Sequence, residues 1–490
     1  MKKVIGMHQE IIPLEEIECL LEKAGEDSVK EAEAIIHKAE ELKGLTPEET
    51  AVLLHCEDRK VIEALCRAAE RVKEAIYGNR LVLFAPLYLT NTCINNCLYC
   101  GFRRANRTLE RRVLSKEEIR SEAETLIRNG HKRVLVVAGE SPKGCGIDYL
   151  EQAIKTIYST KIGHGEIRRI NVNVAPLNIG EFRRLKAAGI GTYQLFQETY
   201  HLPTYQKVHP SGPKRDYHNR LTALDRAMEA GIDDVGMGVL FELYDYRFEV
   251  LALLYHAQYL ERKFGVGPHT VSVPRIEPAA HALISVNPPH AVTDVDFMKL
   301  IAVLRLAIPY TGIILSTRES AELRDKLFHI GVSQISANSR TYPGGYTENT
   351  PSNNPPNSPF NKGGLRGIWD KAGFEKGQFA TSDLRSTSEV IRDISQDGFS
   401  PSFCTACYRV GRTGQEFMEH AKPGHIQKFC LPNSILSFKE YLLDYGGEEL
   451  RKIGESLIEK QTAAIEDAHL RKATLKKLQE IEMGKRDLYF

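Results

Sequence analysis

Short apolar runs recur along the middle of the chain, and amphipathic helical patterns fill the intervals between them. The runs are Leu81 to Leu89, Arg133 to Ala138, Ile170 to Val174, Thr192 to Phe196, Asp234 to Val239, Thr270 to Pro274, Gly312 to Leu315 and Val332 to Ser336. Runs of this length, bounded by turn residues, read as buried strands. Among the intervening helices, Ser115-Lys-Glu-Glu-Ile opens with a capping box, and Asn219 to Glu229 is helical throughout. Repeated β-α units predict a parallel sheet, and eight of them over about 260 residues suit a complete (β/α)8 barrel of the TIM type. A doubly wound open sheet is the alternative.

The flanks carry different patterns. Residues 1–78 read as an N-terminal helical region, with Thr46-Pro-Glu-Glu as a helix start. The barrel is placed at 79–341. Residues 342–373 are dense in Pro, Asn, Gly and Ser and read as a flexible insertion. Helical patterns resume over 374–490, a mainly helical C-terminal extension.

Composition narrows the class. Of 490 residues 42% are apolar and 26% charged, which suits an ordinary globular protein of two or three domains. A formal net charge of +1 gives no field to gather nucleic acid or an anionic membrane. No apolar stretch has bilayer-spanning length and the N-terminus lacks a signal-peptide core, so a cytoplasmic protein is expected. Ten cysteines are too few for a disulfide scaffold, and six fall into two clusters, as metal binding in a reducing compartment would have it. Cys56 and Cys66 lie in helical patterns and read as small buried hydrophobes.

The first cluster is Cys93-Ile-Asn-Asn-Cys97-Leu-Tyr-Cys100, directly after the first predicted strand. It offers three thiolates where a four-iron cluster has four irons, which leaves one iron open to a chelating ligand. Ordinary thiols or a zinc half-site are the alternatives. The second cluster, Cys404-Thr-Ala-Cys407 with Cys430, again supplies three thiolates. It reads as another incomplete iron-sulfur site, or as zinc with His420 or His425 as fourth ligand.

The first triad resembles that of the radical S-adenosylmethionine (SAM) enzymes, whose cluster binds SAM and cleaves it to a 5'-deoxyadenosyl radical. Both triads together resemble the tyrosine lyases that mature the iron-only hydrogenase active site, relatives of the 2-iminoacetate synthases of thiazole synthesis. The resemblance extends through Tyr77-Gly-Asn-Arg, Phe196-Gln-Glu-Thr-Tyr-His201, Gly231-Ile-Asp-Asp-Val-Gly, Gly267-Pro-His-Thr, Ser316-Thr-Arg-Glu and Cys404-Thr-Ala-Cys-Tyr-Arg. It implies cleavage of the Cα-Cβ bond of L-tyrosine to p-cresol and dehydroglycine. Dehydroglycine then yields carbon monoxide and cyanide at an auxiliary four-iron cluster bearing an extra iron, which free cysteine helps to hold. It also implies an electron donor such as ferredoxin or flavodoxin, with other hydrogenase maturases as candidate partners.

Roles follow position by position. Tyr99 would pack beside the adenine, Glu140 would hold the methionine ammonium, and Glu198 would accept from the ribose hydroxyls. Arg318 would bind the tyrosine carboxylate bidentately, and His269 is the candidate ligand of the extra iron. Each has a plainer reading: solvent exclusion, a helix cap, an ion pair, a salt bridge to a loop, a structural histidine. Val174-Ala-Pro-Leu-Asn, Ser141 and the 342–373 insertion depart from the expected pattern and bear on substrate and product fate. Rival readings are a 2-iminoacetate synthase, a paralogue serving another pathway, or a non-catalytic iron-sulfur carrier.

Overall fold

The computed structural model describes residues 11–24, 29–348 and 370–490. All eight predicted strands form: β1 Arg80–Thr90, β2 Arg133–Ala138, β3 Arg169–Asn173, β4 Tyr193–Glu198, β5 Val235–Val239, β6 Thr270–Ser272, β7 Gly312–Leu315 and β8 Gln334–Ser336. Neighbours pair in parallel in chain order, and β8 returns to β1 with Val82 opposite Gln334 and Phe84 opposite Ser336. That closure makes the sheet a barrel and excludes the open doubly wound alternative.

A ninth strand, β9 at Ser400–Ser402, was not expected from its sequence. It pairs in parallel with Arg80 to Val82, the first residues of β1. β1 is long enough to serve three partners along its length: β9 at its start, β8 in the middle, and β2 from Ala85 to Thr90. The segment leading to Cys404 is thereby fastened to the amino end of the barrel, opposite the end where β1 delivers Cys93.

Helices Leu14–Lys23, Val29–Ala39, Pro47–His55 and Arg59–Tyr77 form the N-terminal region. The expected capping box at Ser115 is present, its Oγ accepting from Glu118 N at 3.2 Å, and the expected helix start at Thr46 carries one as well, Thr46 Oγ1 accepting from Glu49 N at 3.3 Å. The expected helix over Asn219 to Glu229 is instead two, Tyr217–Leu221 and Ala223–Glu229. The break falls at Thr222, whose backbone leaves helical geometry at φ −91°, ψ 8° while its hydroxyl donates to the His218 carbonyl at 2.8 Å. Cys66 lies in its helix partly buried, and burial pushes its thiol up to about 11. Cys56 caps the helix before it. Of the expected 342–373 insertion, residues 349–369 lie outside the described residues.

The helices Gln427–Tyr445, Glu448–Ala463 and Ala468–Glu482 pack together in the C-terminal part. Glu440, on the first of these, is buried against Lys132 and Arg168, which stand before β2 and β3. This ionic contact holds the helix carrying Cys430 to the amino end of the barrel. No helix among the described residues is long and apolar enough to cross a membrane.

Candidate active site

Two cavities occupy opposite ends of the barrel. The larger, of about 1090 Å3 including its mouth, lies toward the carboxyl ends of the strands and is lined by Tyr88, Tyr99, Cys100, Glu198, Glu277 and Arg318 among others. Parallel barrels place their chemistry at this end.

Here the cysteine loop is held from several sides. Ile94 N donates to the Glu140 carbonyl at 2.9 Å and Gly139 N to the Thr90 carbonyl at 3.0 Å, joining the loop to the turn after β2. Gly139 is required by this approach, because a Cβ there would stand 2.5 Å from the Thr92 carbonyl oxygen and 3.3 Å from Cys93 Cβ. Asn95 bridges the elements, donating to Glu140 Oε2 at 2.5 Å while its carbonyl accepts from Lys214 N at 2.9 Å.

The three thiols lie close enough to act on one another. Burial, then the charges of Cys97 and Cys93, push the Cys100 thiol up to about 12, and burial pushes Cys97 up to about 11. No three His, Cys, Asp or Glu among the described residues are gathered tightly around one ion. Three cysteines on one loop match the three thiolates that an open four-iron cluster asks for, whereas a structural zinc asks for four ligands.

Glu198 ends β4 in a left-handed conformation, φ 74°, where the β4–β5 register is also irregular. Bulges at barrel rims re-aim side chains, and a non-glycine residue held there is strained. Its carboxylate pairs with Lys214 Nζ at 2.5 Å and Arg220 at 3.5 Å. Burial opposes its ionised form, but these two cations outweigh burial and hold its pKa below the ordinary value. Tyr99 is buried, with its hydroxyl 2.8 Å from His209 Nε2. His209 Nδ1 faces the Tyr205 carbonyl at 2.8 Å and must carry the proton, so Nε2 accepts from the Tyr99 hydroxyl. Arg318 lies with its guanidinium 3.3 Å over the Phe379 ring and donates to the Arg275 carbonyl at 3.2 Å. The structure thus brings Tyr99, Cys100, Glu198 and Arg318 to one cavity, with Glu140 joined through Asn95.

The second cavity, about 530 Å3 including its mouth, lies at the amino end and is lined by all of Cys404, Cys407, Cys430 and His269, with Arg80, Arg133 and Tyr408. Neither His420 nor His425 lines it; the His420 ring packs on Phe429 instead. Ala406 N donates to Cys404 Sγ at 3.3 Å, and Arg133 donates to the Cys404 carbonyl at 2.9 Å. Burial, then Cys430 and Cys404, push the Cys407 thiol upward. Arg80 beside Cys430 gives the cavity a fixed positive charge that favours thiolates. His269 packs 4.3 Å from Phe417, and burial holds its imidazole neutral, the form that ligates a metal.

Between the cavities the barrel interior carries polar side chains. Gln194 Nε2 donates to Thr270 Oγ1 at 3.4 Å; Gln194 lines the first cavity and Gln334 the second. Gly236 and Gly312 face this layer, where a Cβ would stand 2.5 Å from Thr270 Oγ1 or 2.7 Å from Gln334 Nε2. Barrel interiors are ordinarily filled by bulky branched side chains. Asn95, Lys214, Arg220, His209 and the ring of Arg80, Arg133 and Tyr408 were not expected as site residues. Three of them had a signal in the sequence: Arg80 as the last residue of the Tyr77-Gly-Asn-Arg string, Tyr408 within Cys404-Thr-Ala-Cys-Tyr-Arg, and Asn95 within the first cysteine run.

A closed parallel barrel with three clustered thiols after its first strand defines a radical SAM enzyme. The Radical SAM superfamily model matches residues 87–254, and that of the Biotin and Thiamin Synthesis associated domain matches residues 272–400. The 2-iminoacetate synthase of Escherichia coli is 31% identical over 78% of this chain and 93% of its own length. A crystal structure of HydG, a maturase of the [FeFe]-hydrogenase, superposes with a TM-score of 0.91 at 52% identity, covering 98% of this chain and 100% of that one. The HydG structure from Carboxydothermus hydrogenoformans gives 0.80 at 40% identity, covering 96% and 99%. The chain belongs to the HydG family of radical SAM enzymes. That membership implies a four-iron cluster and SAM at the first triad, and the residues present there fit both.

Proposed function

We propose that this chain cleaves L-tyrosine between Cα and Cβ to give p-cresol and dehydroglycine, and converts dehydroglycine to carbon monoxide and cyanide at its second triad for hydrogenase active-site assembly. The reading rests chiefly on the two thiol triads facing one another through a single barrel, with His269 beside the second. Atoms and electrons balance: one hydrogen of tyrosine leaves in 5'-deoxyadenosine, one electron from the external donor and one proton complete p-cresol beside dehydroglycine, and dehydroglycine divides into carbon monoxide, hydrogen cyanide and water.

The cluster and SAM together supply a 5'-deoxyadenosyl radical that abstracts hydrogen from the substrate. The chain's own residues do the positioning. Glu140 accepts from the methionine ammonium and Glu198, kept ionised by Lys214 and Arg220, from the ribose hydroxyls. Tyr99 closes the adenine side with its ring fixed by His209. Arg318, stacked on Phe379, binds the substrate carboxylate, and the surrounding apolar residues exclude water. Dehydroglycine is small and polar, and the layer of Gln194, Thr270 and Gln334 gives it hydrogen-bonding partners on its way to the second cavity.

At the second site three thiolates and neutral His269 suit an auxiliary four-iron cluster with an extra iron, which free cysteine would complete. A ferredoxin or flavodoxin would supply electrons, and other hydrogenase maturases would receive the product. The test is anaerobic reconstitution with iron and sulfide followed by assay of deoxyadenosine, p-cresol, cyanide and carbon monoxide. All four are expected. Deoxyadenosine and p-cresol without cyanide or carbon monoxide would indicate a 2-iminoacetate synthase; no deoxyadenosine would indicate a carrier.

A further inference from the structure

The loop Cys93 to Cys100 shares its outer rim with three other stretches of chain. Asn96 N donates to the Ser211 carbonyl at 3.1 Å and Leu98 N to the Val208 carbonyl at 3.0 Å. The Asn96 side-chain oxygen accepts from Arg103 Nε at 3.0 Å and Ala105 N at 3.3 Å, and Arg103 Nη1 reaches the His281 carbonyl at 3.3 Å. Residues 103–107, 207–215 and 281–286 therefore surround the thiols of the first site.

This rim has an unusual surface. Leu283 is 85% exposed and Val286 54%, while Ile284 between them packs on the apolar cluster that includes Cys97 and Tyr99. Singly exposed apolar residues need no explanation, but two on one short helix whose Ile284 packs toward the first triad invite one. Around them Arg104, Arg107, Lys207 and Arg215 are exposed, and none forms an ion pair among the described residues. Of the acidic side chains on or beside these stretches, Asp216 caps the helix Tyr217–Leu221 by accepting from Asn219 N at 2.9 Å. The excess of positive charge is local, since the whole chain carries only +1.

We propose that this rim is the docking surface for a small acidic one-electron donor protein, with Leu283 and Val286 as the apolar centre and Arg104, Arg107, Lys207 and Arg215 as the charged border. An apolar centre inside a charged rim is the usual anatomy of a transient interface, and charge complementarity speeds encounter more than it tightens binding. The occupant follows from what lies beneath: the first triad, read as a reducible cluster, needs an electron from outside, and Asn96 and Leu98 of its own loop are partly exposed on this face. The inference rests on that reading of the first triad.

The test compares two reductants on the reconstituted enzyme with SAM and tyrosine. Deoxyadenosine formation is driven by limiting reduced ferredoxin of net negative charge, or by dithionite, which needs no docking. The variants are Arg104→Glu/Arg107→Glu, Lys207→Glu/Arg215→Glu and Leu283→Glu. Each charge-reversed pair is expected to lower the ferredoxin-driven rate about tenfold or more, and added salt to slow the parent, while dithionite-driven rates stay within about twofold. The proposal is overturned if neither pair slows the ferredoxin-driven reaction, or if the dithionite-driven rate falls as far in both. A dimer in sedimentation that Leu283→Glu dissolves would assign the face to a second copy and likewise overturn it. No deoxyadenosine from the parent with either reductant would instead refute the radical reading beneath it.

Discussion

Replacing Glu440 by Gln tests whether the second site is held to the barrel by one buried charge. Glu440 is 2% exposed and accepts from Lys132, from both terminal nitrogens of Arg168, at 2.6 and 3.2 Å, and from Asp487 N at 3.0 Å. Burial alone would raise its pKa, but Lys132 and Arg168 hold it at about 2, against an ordinary 4.5. Burial and Arg168 push Lys132 down to about 8, so the lysine stays charged at pH 7. The two partners lean opposite ways, the contact favouring the ionised Glu440 while Lys132 on balance loses by burial. Glu440 is the better guide to this variant, because Gln reproduces its protonated form and leaves both cations in place.

A depression of that size corresponds to about 3 kcal/mol at neutral pH, in line with the roughly 3–5 kcal/mol lost when one partner of a buried pair is removed. Because the folded-state pKa is lowered, the stabilisation is complete above the unfolded carboxylate's pKa and vanishes as pH falls from about 4.5 toward 2. Urea unfolding of parent and Glu440→Gln, followed by circular dichroism, should therefore show a clear difference at pH 7 that closes as pH falls from about 4.5 toward 2. Since Glu440 lies on the helix of Cys430, iron retained after gel filtration should fall too. Equal stability at pH 7, or a difference that ignores pH, would refute the argument.

Two further substitutions probe the first site. Gly139→Ala sets a Cβ against the Thr92 carbonyl, and since backbone must yield by about half an ångström, the variant should reconstitute with less iron at the first triad while the chain remains folded by circular dichroism. Arg318→Lys keeps the charge but loses the planar fork stacked on Phe379, so the KM for tyrosine should rise about tenfold, roughly 1.4 kcal/mol, and deoxyadenosine should form in excess over p-cresol. An unchanged KM and unchanged coupling would remove Arg318 from the substrate.

The barrel was legible because most of its strands are short buried runs, with β3 alternating buried and half-buried residues, and eight such runs separated by helices leave few topologies. β9 was not, since Ser400-Pro-Ser has no apolar pattern and is a strand only because the first residues of β1 accept it. The helix break at Thr222 is a local departure of one residue's backbone, which periodicity cannot foretell. The first triad could be read from spacing because all three thiols share one short loop, whereas Cys430 joins Cys404 and Cys407 only in space. Lys214 and Arg220, which keep Glu198 ionised, come from the loop and helix after β4 and meet it only in space. His269 and Arg318 carried a signal through the family strings around them, not through any pattern of their own.

The most direct test of two linked sites is the variant Cys404→Ala/Cys407→Ala, reconstituted anaerobically and supplied with SAM, tyrosine and reductant. Deoxyadenosine and p-cresol should form at close to parental rates, because the first triad stands at the far end of the barrel, while carbon monoxide formation should cease. Carbon monoxide at the parental rate would contradict the assignment of the second triad, and with it the division of labour between the two ends of the barrel.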